Sequence, residues 1–202
     1  RVENPVLPME EGFLQLLKAH GEELPDDQFA LFMNAMYPVD AFIRDYFRKA
    51  VLDALLAEKL PVTVFGEGWE KYSCGDEHSL RREPAVPFAL SFERITKAHV
   101  LLNVSPIFNR GMHDRVPAGM ANHAVVLTDE NPYLRRTFTD GKELLFYSLE
   151  KPDTLCEQAE RTLTDVRLRE KIAASAYETF EREYTWKRRA EQILAFAEEV
   201  EA

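Results

Sequence analysis

The polar residues best suited to handling an anion gather in one stretch, from Asn103 to Asp129. It opens with Asn103 and Ser105, runs through Arg110, Gly111, His113, Asp114 and Arg115, and closes on Asp129. An anion needs positive charge and N–H donors. The amino terminus of a helix offers both, as roughly half a unit of charge and several unpaired amides. Gly111 to Arg115 precede and begin such a helix, and Arg110 or Arg115 can add a bidentate, charge-assisted contact. Such a contact would stabilise negative charge on a bound group. Each residue also has a structural use. Arg115 can pair with Asp129 to tie loop to loop. Asn103 and Ser105 can bond loop backbone as readily as ligand, and Asp129 can cap the helix that follows it. His113 beside Asp114 suggests a dyad. Adjacent residues seldom face each other, however, and no Ser or Cys elbow lies nearby, so contact with a ligand suits His113 better than proton abstraction.

The flanking apolar runs fix where these residues must lie. His99 to Val104 is short and bounded by Pro106, which reads as a buried strand. Asp114 can cap a short helix over about Arg115–Asn122, with Pro117 tolerated in the first turn. Ala124 to Leu127 is a second buried strand, ending at Thr128-Asp129. Strand, helix and strand make a βαβ unit with a right-handed crossover. Ligands of open parallel sheets sit beyond the carboxyl ends of the strands, which places Ser105–Arg115 and Thr128-Asp129 on one rim.

A second loop belongs to the same argument. Pro61-Val-Thr-Val-Phe-Gly66 is a β-branched strand running into Gly66-Glu67-Gly68-Trp69. Glycines there let the backbone turn sharply and approach a ligand, and Glu67 is the nearest carboxylate in that loop. A plain turn explains them equally well. The dinucleotide fingerprint GxGxxG is absent, because Lys71 stands where a third glycine belongs.

The remaining elements surround this framework. Phe13, Leu14, Leu16 and Leu17 mark a helix ending near Gly21, and Pro25-Asp26-Asp27 starts another carrying Phe29, Leu31, Phe32 and Met36. A longer helix, Val39–Glu58, repeats Ile43, Phe47, Ala50, Val51 and Ala54 at helical spacing, with Arg44, Asp45, Arg48 and Asp53 off that face. These stripes read as core packing. Residues 70–87 form a polar loop with a short strand near His78–Arg81, and Phe88–Ala98 is helical. Asn131-Pro132 begins a short helix, Glu143–Tyr147 is a strand, and three amphipathic helices follow: Pro152–Leu163, Asp165–Tyr184 and Thr185–Val200. Asp165 and Thr185 are their cap candidates, and the last helix buries Trp186, Ala190, Ile193, Leu194 and Ala197. Lys187-Arg188-Arg189 is a solvated face. Strands interleaved with helices, none alternating polar and apolar, predict an α/β fold: a doubly wound parallel sheet with a helical amino-terminal segment (1–60) and carboxyl-terminal helices.

Composition narrows the function classes. The chain has 202 residues, 46% apolar and 30% charged, as an ordinary globular protein does. Its net charge of −10 argues against non-specific partnership with nucleic acid or an anionic membrane. No apolar run approaches the roughly 20 residues of a transmembrane helix. Cys74 and Cys156 read as free thiols of a reducing cytoplasm. The five histidines lack ligand spacing, so neither metal nor cofactor is expected. The first residue, Arg1, suggests a piece of a longer chain.

Taken together, several segments resemble the carboxyl-terminal Rossmann-like domain of GT-B glycosyltransferases, the group 1 type, closest to its CgeB-like branch. They are Val64-Phe-Gly-Glu-Gly-Trp69, Leu102-Asn-Val-Ser105, Asp114-Arg115 with Met120-Ala-Asn122, Val126-Leu-Thr-Asp129, Phe138 with Asp140-Gly-Lys-Glu-Leu-Leu-Phe-Tyr147, and Tyr184-Thr-Trp-Lys-Arg-Arg189. The resemblance implies a nucleotide-diphosphate-sugar donor, an unspecified acceptor, and a second, amino-terminal Rossmann-like domain, most of which this chain lacks. In the wider superfamily two glutamates eight residues apart touch the donor. Arg110 and Ala118 hold those positions here, and neither can accept a hydroxyl proton as a carboxylate does. A non-catalytic nucleotide-sugar-binding or scaffold domain is therefore the alternative to a transferase.

Overall fold

The computed structural model describes residues 4–5, 7–106 and 108–201. Three helices lead: α1 (Met9–Ala19), α2 (Asp26–Ala35) and α3 (Tyr37–Ala57). The α/β part follows as β1 (Val62–Phe65), β2 (Leu80–Glu83), α4 (Phe88–Ile95), β3 (Val100–Asn103), α5 (Arg115–Ala121), β4 (Val125–Asp129), α6 (Pro132–Thr137) and β5 (Leu145–Tyr147). The chain closes with α7 (Pro152–Thr164), α8 (Val166–Glu183) and α9 (Trp186–Glu201). No helix among the described residues is long and apolar enough to cross a membrane.

Every strand pair among the described residues is parallel, and in β3–β5 the unbroken apolar runs suit strands covered on both faces. The strands divide between two hydrogen-bonded sheets, β1-β2 and β3-β4-β5. All five residues of β4 are buried, and successive side chains serve opposite layers. Val125 and Leu127 join a cluster with Val51 and Leu55 of α3, Leu155 and Ala159 of α7, and Ile172 of α8. Val126 faces Val116 and Met120 of α5, Leu134 of α6 and Ala176 of α8. The sheet is thus covered on both sides. A Cβ on Gly119 would come within 2.5 Å of Val126 Cγ2 and 2.9 Å of Leu101 Cδ2, so only glycine lets α5 lie this close to the strands.

The edges depart from the sequence reading. Strand β1 does alternate, half-buried with exposed, and Phe65 is 40% exposed, because it pairs only with β2. No residue of α1 or α2 is buried: Phe13 packs against Phe29 and Phe32 with centroids 5.6 and 5.9 Å apart, but these helices present no face to the main core. In α9, Trp186 (89% exposed), Ile193 and Leu194 lie open, and neither Ala190 nor Ala197 is buried. The helix has its apolar stripe, but no opposing layer stands against it. Asn131, Asp165 and Thr185 do cap α6, α8 and α9, accepting the N–H of Leu134, Leu168 and Arg188.

Candidate functional site

Parallel register brings the ends of three strands into line: Asn103 stands opposite Thr128, and Thr128 opposite Phe146. Asn103, the last residue of β3, has no solvent exposure and is the hub of the rim. Its Nδ2 donates to Thr128 Oγ1 at 2.9 Å. Its Oδ1 accepts from Ser105 Oγ at 3.1 Å and from Arg115 Nη1 at 2.6 Å. Its backbone carbonyl accepts the Tyr147 hydroxyl at 2.8 Å. One residue thereby joins β3, β4, β5 and the start of α5. Such a buried network holds its members in place because each unmade bond would leave a polar group stranded away from water.

Asp129 ends β4, is 3% exposed, and accepts the backbone N–H of Ser105 at 2.7 Å through Oδ1. Burial pushes its carboxyl up to about 7, against the pull of the Ser105 N–H and the Arg115 charge. It caps no helix; Asn131 does that. Asn131 also donates through Nδ2 to the carbonyls of Phe108 at 2.6 Å and Gly111 at 3.2 Å, so one residue starts α6 and fastens the loop. No local pattern signals this second task.

Arg115 begins α5 with its guanidinium mostly buried. Its partners are neutral: Asn103 Oδ1, and His113 Nε2 at 3.3 Å. Among the described residues it forms no ion pair, with Asp129 or any other carboxylate, although Asp129 and Asp114 are near enough to attract it. Burial lowers its proton affinity, and so does the charge of Arg48 on α3.

Asp114 does not cap α5. Its φ and ψ of −56° and −21° are already helical, whereas a capping side chain needs an extended backbone. His113 substitutes, its Nδ1 accepting the Arg115 N–H at 3.1 Å. The same Nδ1 lies 2.5 Å from Asp114 Oδ1. The first contact belongs to a bare Nδ1 and the second to a protonated one. Burial, then the Arg115 charge, hold His113 below the usual histidine range despite Asp114. The Phe108 ring packs edge-on to the imidazole at 5.4 Å.

Arg110 points elsewhere. Its exposed side chain pairs with Glu11 of α1. Gly66 and Gly68 take φ of +125° and +89°, the left-handed region that favours glycine, at the carboxyl end of β1. Glu67 between them is exposed. Thus Asn103, Ser105, His113, Asp114, Arg115 and Asp129 come together, Gly111 is fastened beside them through Asn131, Arg110 turns to α1, and the Gly66–Gly68 turn occupies a strand end of the other sheet.

A cleft of about 350 Å³ opens beside the rim, lined by Asp129, Glu130, Asn131, Ser148 and Glu150 among others. Its one lining arginine, Arg135, is engaged by Glu130 at 2.6 Å. Neither Arg115 nor His113 lines the cleft; Asp129 belongs to both groups. The arrangement therefore offers two chemistries side by side. The acidic cleft can accept hydroxyl hydrogens, and the Arg115–His113 corner can hold an anion.

The sequence matches a family described as glycosyl transferase-like over residues 44–195. No curated protein matches it. Among solved structures, HepE of Anabaena in complex with UDP-glucose superposes with a TM-score of 0.63 at 11% identity, covering 74% of this chain and 44% of that one. HepE with UDP and glucose, and with UDP, superpose at 0.60 with 12% and 10% identity over the same shares. The chain thus spans 44% of the length of these relatives, and at such identity the likeness is one of fold.

Proposed function

The chain belongs to the glycosyl transferase-like family, and from that premise we propose that it is the donor-binding half of a sugar transferase of the GT-B kind, CgeB-like in branch. It would hold a nucleotide-diphosphate-sugar at the carboxyl rim of β3–β5. The observation that carries this reading is Arg115, a mostly buried guanidinium with no ion pair among the described residues, set beside the end of β4. Buried charge is costly unless paired, and a diphosphate would supply the missing partner. The crystal complexes of HepE with UDP-glucose and UDP make the same donor class the first to try.

In this reading Arg115 and the loop 111–115 face the diphosphate, with His113 at the edge. The hydroxyl-accepting cleft at Asp129, Glu130 and Glu150 would take ribose or sugar. Asn103 and Ser105 hold the rim, and Gly66–Gly68 with Glu67 close from the β1 side. An amino-terminal domain, continuous with the helical segment 1–60, would bring the acceptor. Both cysteines are free, as a reducing compartment permits, and we place the enzyme in the cytoplasm.

One observation favours the second reading, a nucleotide-sugar-binding or scaffold domain without catalysis. Arg110, at a position where a donor-contacting glutamate is implied, is engaged by Glu11.

Titration calorimetry with UDP, GDP, dTDP and their sugars tests both. Binding of at least one is expected, weakened by Arg115→Ala in a variant that still folds. A folded protein that binds none would overturn both readings. Sugar transfer by the full-length gene product would then separate enzyme from scaffold.

A further inference from the structure

The opposite end of the sheet carries a second cleft. Its volume is about 330 Å³, and Lys97, His99, His123, Arg169 and Glu170 are in its lining. Three parts of the chain bring them together. Lys97 and His99 lie between α4 and β3, His123 lies between α5 and β4, and Arg169 and Glu170 lie on α8. The Val125 N–H donates to the His99 carbonyl at 3.2 Å, which sets the starts of β3 and β4 side by side. The rim stands at the far ends of those strands, roughly 13 Å away at the rise of a parallel strand.

His123 takes φ of +56°, the left-handed region, just after α5 closes, a place that glycine or asparagine usually fills. Its ring stacks on Tyr177 of α8, with centroids 4.2 Å apart and planes 20° apart, so the imidazole is held against that helix. Arg169 is half-buried. Its Nη1 donates to the carbonyls of Thr162 and Leu163 at 3.1 and 3.3 Å, neutral groups at the end of α7. Among the described residues neither Lys97 nor Arg169 forms an ion pair, and Glu170, the one carboxylate in the lining, forms none either. In a chain of net charge −10, this cleft therefore gathers two cations and two imidazoles against a single carboxylate.

We propose that the cleft binds a small phosphorylated molecule, of hexose-phosphate size, at the pole of the sheet away from the rim. Its volume is at the low end of ligand pockets, which span roughly 300–1,000 Å³. Lys97 supplies a point charge, Arg169 a planar fork already fixed to α7, and His123 a ring N–H donor. The proposal does not depend on the donor reading above.

The test is calorimetric titration of the full chain, in phosphate-free buffer, with glucose 6-phosphate and with glucose. Wild type is compared with Lys97→Gln, His123→Asn and Arg115→Ala, each checked by thermal melting. Asparagine tolerates the left-handed backbone, and Arg169 is left in place because it ties down the end of α7. Glucose 6-phosphate should bind and glucose should not. Lys97→Gln and His123→Asn should each weaken binding about tenfold, the size of one lost charge-assisted bond. Arg115→Ala and saturating UDP should leave it unchanged. Binding that survives both cleft variants, or that is lost in Arg115→Ala, overturns the proposal, the latter by putting the phosphate at the rim. So does equal affinity for glucose, or no saturable binding of glucose 6-phosphate by the folded wild type.

Discussion

The loop leaving β3 and the loop leaving β1 both begin where a parallel strand ends, yet they are held by different means. After β3 the side chains do the holding. Asn103 bonds Thr128, Ser105 and Arg115, and Asp129 takes the Ser105 N–H. After β1 the backbone does it: Gly66 and Gly68 turn with positive φ, and the Trp69 indole N–H reaches back to the Phe65 carbonyl at 3.3 Å. Farther on, Arg82 ties that loop down, donating to the carbonyls of Trp69 and Tyr72 and to Glu77. Among the described residues no side chain ties down the Gly66–Gly68 apex, whose Gly66 N–H bonds the Glu83 carbonyl at 3.2 Å. A rim fixed before the ligand arrives loses little freedom on binding, while a glycine apex can still follow the ligand. Substitutions in the first loop should therefore cost stability, and those in the second should cost mainly affinity.

The largest effect belongs to Asn103→Ala. It removes the acceptor of Ser105 Oγ and of one Arg115 N–H and leaves Thr128 Oγ1 only its bond to the Asp129 carbonyl, which should cost about 3 kcal/mol of unfolding free energy. Denaturant unfolding measures it. A loss under about 1 kcal/mol would mean that the rim is held by its strands alone.

The next prediction concerns proton linkage at the same rim. Asp129 titrates near 7 when folded and near 3.8 when unfolded. The folded state holds the proton more tightly. Its contribution is therefore full at low pH, declines as pH rises from about 4 to about 7, and is flat above that. Asp129→Asn keeps an oxygen for the Ser105 N–H and removes the titration. The melting temperature of the variant minus that of wild type should climb from pH 4 to 7 and then level. A difference that is flat across that range would mean the carboxyl is not desolvated as the fold implies.

How much of this contrast the sequence could carry depends on distance along the chain. Strands β3 and β4 were legible because Val100–Asn103 and Val125–Asp129 are unbroken apolar runs feeding polar ends, and the rim residues follow from the parallel order of those ends. The caps at Asp165 and Thr185 were legible because they are local. What escaped is long-range or competitive. The Arg110–Glu11 pair joins residues 99 apart and leaves no local pattern. Asp114 lost the cap of α5 to its neighbour His113, a contest that residue type cannot decide. Arg48 falls off the apolar face of α3, so periodicity reads it as solvated, yet its charge lowers the proton affinity of Arg115. The apolar stripes of α1, α2 and α9 were real, but a stripe says nothing about whether a layer stands opposite.

Gly68→Ala probes the other loop at smaller scale. Nothing lies within 4 Å of an added Cβ, so the only cost is holding alanine at φ +89°. That cost is about 1 kcal/mol of stability. Unfolding of this variant beside Asn103→Ala would show the gap between the two modes of support. If Gly68→Ala proved the more damaging, the β1 loop would be a structural element and the contrast would collapse.

The smallest stability change is expected at Glu67, exposed at the glycine apex, where Glu67→Gln should shift unfolding by less than about 0.5 kcal/mol. Its effect should appear only with ligand. If the apex folds over a sugar, Glu67 accepts a hydroxyl hydrogen as a carboxylate, and the amide accepts it more weakly because the bond is no longer charge-assisted. Affinity for UDP-glucose should then fall several-fold while affinity for UDP stays unchanged, since UDP has no hydroxyl at that place. Equal loss for both ligands would put Glu67 against the nucleotide. No loss for either, in a protein that binds both, would make the Gly66–Gly68 turn a plain turn and leave recognition of the sugar to the Asp129 cleft.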